Sequence, residues 1–262
     1  MSNSVLIGQY METHSIFHRL DPRTKILAII FLMMSFLMLD SFASYTIATI
    51  FVLSILFLSK IPFQIFAKGL KPILFILLFT FIYHAAFTDG NVIWSWSFIH
   101  IAVEGLQNGT RYVWRILLLV LLASLLTLTT KPLTIADGLV KLLSPLSKFN
   151  IPVEQFALMI VISIRFIPTI LQELNRILLA QKARGHDITA LPLHKRIFAY
   201  IPLLIPLLFT TIQRAEQLTF AIDARAYGNG KGRTTFKLLK FQQLDYLVCL
   251  VVILMITILL FV

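Results

Sequence analysis

The chain has 262 residues, 58% hydrophobic and only 13% charged, with a mean hydropathy of +0.86, well above an ordinary soluble domain. That excludes a soluble enzyme, whose exposed apolar area would drive aggregation, and points to an all-α polytopic membrane protein. The net charge of +11 does not indicate a nucleic-acid binder, because the basic residues flank apolar runs and are not interleaved with exposed aromatics.

Residues 1–17 lack the basic region and apolar stretch of a cleavable signal, so the first span is expected to target the chain. Apolar runs at 26–39, 42–58, 73–87, 116–128 and 247–262 predict about five transmembrane helices. Several are shorter than the ~20 residues of an upright span, which brings Thr24, Arg111 and Thr130 toward the interfaces. A turn at Asp40 and Ser41 is required, because an unbroken helix over 26–58 would run ~50 Å through a ~30 Å core.

Lys and Arg counted by loop set the orientation. Residues 1–25 and 59–71 hold three each, 40–44 and 89–109 none, and 131–243 fifteen, while Arg111 and Arg115 open the fourth span. The protein is therefore expected in the cell membrane with its N-terminus and the segment 131–243 cytoplasmic and its C-terminus outside. The predicted division is N-terminal spans over 1–130, a cytoplasmic or interfacial domain of long amphipathic helices over 131–243, and a C-terminal span over 244–262.

Segment 89–109 carries Trp94, Trp96 and Phe98 with Asp89 and Glu104, and suits an outer interfacial helix or loop with an aromatic belt rather than a sugar platform. His84 and His100 have no carboxylate at ligand spacing and read as interfacial hydrogen-bonders, not metal ligands. Cys249, the single cysteine, leaves no disulfide or thiolate metal site.

Within the long segment, the runs 156–171 and 197–211 resemble spans, but Arg165 interrupts the first and Pro202 and Pro206 fall in the second. A mid-bilayer charge costs at least ~2.5 kcal/mol. Gln172, Glu173, Asn175 and Arg176 continue the first run, and Gln213, Arg214, Glu216 and Gln217 the second, as polar-patterned extensions. Both are therefore predicted as amphipathic helices along or just under the cytoplasmic face.

Gly228-Asn229-Gly230-Lys231-Gly232-Arg233 is not a phosphate loop, since Arg225 stands where the first glycine belongs and Gly232 where Ser or Thr should follow the lysine. No zinc helix or nucleophile elbow is present. The spans hold almost no ionisable interior residues, which argues against an ion-driven carrier.

What remains is a matched pair, Ala183-Arg184-Gly185 and Ala224-Arg225-Ala226, 41 positions apart, each where a helical pattern ends. Arginine keeps its charge and offers five N–H donors in a planar fork, suited to carboxylates and helix-end carbonyls of a partner. Ala183 and Ala224 extend the helix without bulk, and Gly185 can adopt a left-handed cap. A helix-end arginine alone often only complements the dipole, but two in one segment suggest docking.

With these pieces the chain resembles the T component, the transmembrane scaffold subunit, of energy-coupling factor transporters. The resemblance rests on Leu20-Asp21-Pro22-Arg23-Thr24-Lys25, Thr130-Lys131-Pro132, Ser163-Ile164-Arg165-Phe166-Ile167-Pro168, Gln181-Lys182-Ala183-Arg184-Gly185 and Asp223-Ala224-Arg225-Ala226-Tyr227-Gly228. It implies a non-catalytic subunit without a cofactor of its own. ATP would be bound by two cytosolic ABC ATPase subunits docking on the two arginine ends, and a small substrate-binding membrane subunit, the S component, would capture a vitamin or metal ion. Ala226 departs from the family's glycine, and a left-handed alanine costs roughly 1 kcal/mol, so the second helix is expected to end later, near Gly228. The competing readings are a self-sufficient carrier or channel, for which the prolines at 202 and 206 leave some room, and an intramembrane lipid enzyme.

Overall fold

The computed structural model describes residues 10, 11, 13, 15–96, 99–149, 152–185, 192, 198, 200–226 and 241–262, with backbone alone over 92–101. In chain order its elements are α1 (Ile16–Arg19), α2 (Pro22–Leu37), α3 (Phe42–Leu58), α4 (Phe63–Leu70), α5 (Leu74–Phe87), β1 (Val92–Trp96), β2 (Ile99–Ala102), α6 (Val103–Thr129), α7 (Pro132–Leu143), a 3₁₀ turn (Ser144–Phe149), α8 (Val153–Ala183), α9 (Ile201–Ala224) and α10 (Gln243–Phe261). The chain forms an all-α membrane protein with one short hairpin. It divides into two compact units, Met1–Leu142 with Leu239–Val262, and Leu143–Leu238.

In the first unit α6 is the central post: α2, α3, α4 and α5 pack on it, and α10 closes against α2 and α3. Each helix contributes one stripe to the core, as Ala48, Val52 and Leu56 do on α3, Leu118, Leu122 and Leu125 on α6, and Val252, Met255 and Leu259 on α10. The other faces are equally apolar: Phe31, Phe57, Phe75 and Leu250 are exposed. A helix oily on every side with only one face packed has lipid for its remaining solvent. Hydroxyls on such faces return to their own helix, as Thr46 does to Phe42 O (3.0 Å), Ser54 to Ile50 O (2.7 Å) and Thr80 to Ile76 O (2.8 Å). These three hydroxyls are then not left bare in hydrocarbon.

α6 (27 residues), α8 (31) and α10 (19) are long and apolar enough to cross a membrane, α4 and α5 pass together as a pair bent by 58°, and α3 is a shorter apolar helix. The turn at Asp40 and Ser41 lies between α2 and α3 as the sequence requires. The segment at 89–109 is different from the predicted helix or loop. It forms an antiparallel hairpin, with Trp96 paired to Ile99 and Ser95 to His100, and then enters α6 at Val103. The apolar run at 116–128 is thus the second half of a helix that begins 13 residues earlier.

α5 and α6 approach closely because Gly105 and Gly109 stand one turn apart on their shared face. A Cβ at Gly105 would lie 2.8 Å from the His84 carbonyl oxygen, and one at Gly109 3.2 Å from that of Phe81. Arg115, on α6, donates to the Leu39 carbonyl and lies 3.7 Å from Asp40. Its charge therefore serves the C-terminal end of α2, where the helix dipole favours a cation.

Candidate functional site

α8 is one continuous helix in which the apolar start and the polar-patterned extension are a single element. Neither Arg165, which is exposed, nor Pro168 breaks it. α9 likewise runs unbroken through Pro206, while Pro202 sits in its first turn, where a missing N–H is harmless. Nothing at the two prolines therefore resembles a broken helix.

The two helices end alike. Arg184 caps α8 at φ −84°, ψ 7°, its N–H bonding to Ala180 O (3.2 Å) and Gln181 O (3.1 Å). Gly185 then turns left-handed at φ +88° and its N–H reaches Lys182 O at 3.0 Å. Arg225 caps α9 at φ −88°, ψ 8°, its N–H bonding to Ile222 O at 3.2 Å. Ala226 takes φ +50°, with its N–H 2.8 Å from Asp223 O. The expectation that α9 would run on toward Gly228 is thus overturned: Ala226 adopts the left-handed turn despite its Cβ, and the helix stops at Ala224. The turn satisfies carbonyls that would otherwise be orphaned, which offsets a conformational cost of about 1–2 kcal/mol.

Ala183, Arg184, Gly185, Ala224, Arg225 and Ala226 are all exposed. Neither guanidinium has an ion-pair or hydrogen-bond partner among the described residues, so ten N–H donors stand free for another surface. Eleven positions before the ends, α8 and α9 are joined by Arg214 Nη2, which donates to Glu173 Oε2 at 3.2 Å. Arg176 Nη1 lies 3.9 Å from the same oxygen.

A second polar constellation, in the first unit, was missed in the sequence. Asp245 is 1% exposed, and both its oxygens are used. Oδ1 accepts the Asp21 N–H (2.9 Å) and Oδ2 the Gln242 N–H (2.7 Å), the latter closing a capping box on α10. Buried Lys25 donates to Thr129 O (3.3 Å) and Thr130 Oγ1 (3.0 Å) at the end of α6. Asp21 in turn caps α2 through the Arg23 N–H at 2.9 Å. Asp21, Lys25 and Thr130, from stretches that carried part of the resemblance, thus join Thr129 and Asp245 in a clasp on three helix ends. Its signal was the spacing Gln242-x-x-Asp245, a capping pattern ahead of an apolar run.

The remaining candidates do not join a site. His84 stacks on Tyr112 at 4.4 Å between ring centroids, an aromatic packing role rather than the expected hydrogen-bonding one. Trp94, Trp96 and His100 lie on the hairpin strands, and Cys249 is exposed on α10. Phe98, Tyr227 and the basic turn from Gly228 to Arg233 lie outside the described residues. Among the described residues no group of three or more His, Cys, Asp or Glu is placed to hold a metal ion.

The family model described as CbiQ, cobalt transport protein, matches residues 13–236. The chain is similar to the energy-coupling factor transporter transmembrane protein EcfT of Bacillus subtilis (strain 168), 41% identical over 246 residues, or 94% of this chain and 93% of the relative. It is also similar to the proteins of that name in Ruminiclostridium cellulolyticum, 40% identical with 95% and 93% covered, and in Lactococcus lactis subsp. cremoris, 40% identical with 96% and 95% covered.

Proposed function

From the premise that the chain belongs to the family of T components of energy-coupling factor transporters, we propose that it is the scaffold subunit of an ATP-driven importer for vitamins or other micronutrients. It is a multi-pass membrane protein of a transporter. In the proposed reading two cytosolic ABC ATPases supply the energy, one docking on Arg184 and the other on Arg225. A separate small membrane subunit binds the substrate, and movement of α8 and α9 on ATP binding and hydrolysis reorients it to release inward. The subunit is non-catalytic and holds no cofactor, ATP being bound by its partners. The segment 131–243 acts as the coupling domain, on the cytoplasmic side with the N-terminus, between the spans of 1–130 and 244–262.

One observation carries this reading: two long helices end in the same cap geometry, each presenting an exposed, uncommitted arginine. The apolar seam of α8 and α9 and the nearly charge-free interiors of the other spans fit a mechanical link better than a carrier with its own ion relay.

The test is charge reversal. Arg184→Glu with Arg225→Glu is expected to abolish co-purification with the ATPases in detergent while membrane insertion is retained. Unchanged complex formation would overturn the docking assignment.

A further inference from the structure

We propose that the Glu173–Arg214 ion pair sets the register of α8 against α9, so that the two arginine-bearing ends come out level. α8 and α9 contact one another, and Ile170, Glu173 and Ile177 on α8, and Leu207, Arg214 and Leu218 on α9, are half-buried positions three, four or seven apart, with Leu174, Leu178, Thr210 and Thr211 half-buried beside them. Apart from this pair these half-buried positions are Leu, Ile and Thr, and uncharged contacts of that kind tolerate slippage because one turn resembles the next. A charged pair does not. The Glu173 side chain is 16% exposed and Arg214 42%, so a slip would strand a mostly buried carboxylate without its partner. The same exposure makes the pair a weak contributor to stability; its role is selection between registers.

The spacing gives the pair its consequence. Arg184 follows Glu173 by eleven positions and Arg225 follows Arg214 by the same eleven. Eleven residues are three helical turns to within about 20°, an arm of about 16 Å. Set against each other at an offset of 41, the two arms share Gln172 with Gln213, Ala180 with Ala221 and Ala183 with Ala224, yet carry opposite charges at 173 and 214. Like charges there would repel. Opposite charges select α8 pairing with α9 in one alignment. A slip of one turn, four residues, would displace one arginine about 6 Å along its axis relative to the other, and a partner pair with two fixed grooves would then engage only one.

The register is measurable in the chain without any partner. Spin labels at Leu179→Cys and Phe220→Cys, both exposed and both six residues past the ion pair, in a Cys249→Ser, Arg176→Gln chain in nanodiscs, are expected to give one narrow distance. Glu173→Arg is expected to broaden it or add a population displaced by about 6 Å, and Glu173→Arg with Arg214→Glu to restore it. An unchanged distance in Glu173→Arg overturns the proposal, as does broadening that the charge swap leaves in place. The link to transport rests on the docking reading: with the ATPases present, Glu173→Arg should lower substrate uptake per ATP hydrolysed at least several-fold and the swap should recover it. Since Arg184→Glu with Arg225→Glu tests docking separately, a failure of one reading is distinguishable from a failure of the other.

Discussion

Gly185 and Ala226 occupy the same left-handed turn after equivalent arginines, at φ +88° and +50°, and differ by one methyl group. A Cβ added at Gly185 would meet nothing within 4 Å, so Gly185→Ala tests conformation free of steric conflict. It is expected to weaken the end of α8 by about 1 kcal/mol, and Ala226→Gly to tighten that of α9 by a similar amount. Amide hydrogen exchange of the last turn would read both, as roughly five-fold changes in opposite directions. Equal exchange in the variants and the parent would show that tertiary contacts, not the cap, hold the turn. The arginines were legible from their repeat and the helical pattern before them. The stop after Arg225 was not, because the propensity of one alanine was weighed without the hydrogen bond from its N–H to the Asp223 carbonyl that makes the turn worthwhile.

At the scale of elements the contact of α5 with α6 depends on the absence of side chains. Gly105→Leu is expected to lower stability by about 1–3 kcal/mol, since even a Cβ would meet the His84 carbonyl at 2.8 Å. Gly69→Ala on α4, with nothing within 4 Å of the added carbon, is the control expected to be neutral or slightly stabilising. A thermal series in detergent followed by size-exclusion would separate them, and equal midpoints would count against the tight seam. Hydrophobic periodicity located the long apolar helices and the break at Asp40, because oily runs and a charged turn are one-dimensional signals. It missed the hairpin before α6, where a few aromatic residues fit an interfacial helix as well as a strand. It read 156–171 as the apolar start of a helix interrupted in composition by Arg165 and continued by a polar extension from Gln172. The backbone runs through both parts as one helix, because an arginine disturbs the solvation of a helix and leaves its hydrogen bonds intact.

The first unit of the molecule is closed by the clasp on Asp245. Asp245→Ala would leave the Asp21 and Gln242 N–H groups without acceptors beside the buried Lys25, a loss on the order of 2–4 kcal/mol, and Asp245→Asn, which keeps an acceptor oxygen, about half of that. Adding Lys25→Met to Asp245→Ala should recover part of the loss by removing the buried charge. Thermal midpoints of the parent, Asp245→Ala, Lys25→Met and the double variant would measure the coupling, and strict additivity would show that Lys25 and Asp245 act independently. This clasp was hidden in the sequence because its members are far apart in the chain; only the capping spacing at 242–245 hinted at it.

That separation bears on the order of synthesis. The bond from the Asp21 N–H to Asp245 spans 224 positions, and the whole of Leu143–Leu238 is made in between. At ~5–20 residues per second a nascent chain waits about 10–45 s with the Asp21 N–H lacking its acceptor and Lys25 lacking its distant carboxylate. A product cut short before α10 keeps that defect permanently. The acceptor that holds the start of α2 to the start of α10 is thus supplied late, and a fragment lacking α10 differs from the longer chain at a point more than two hundred residues upstream.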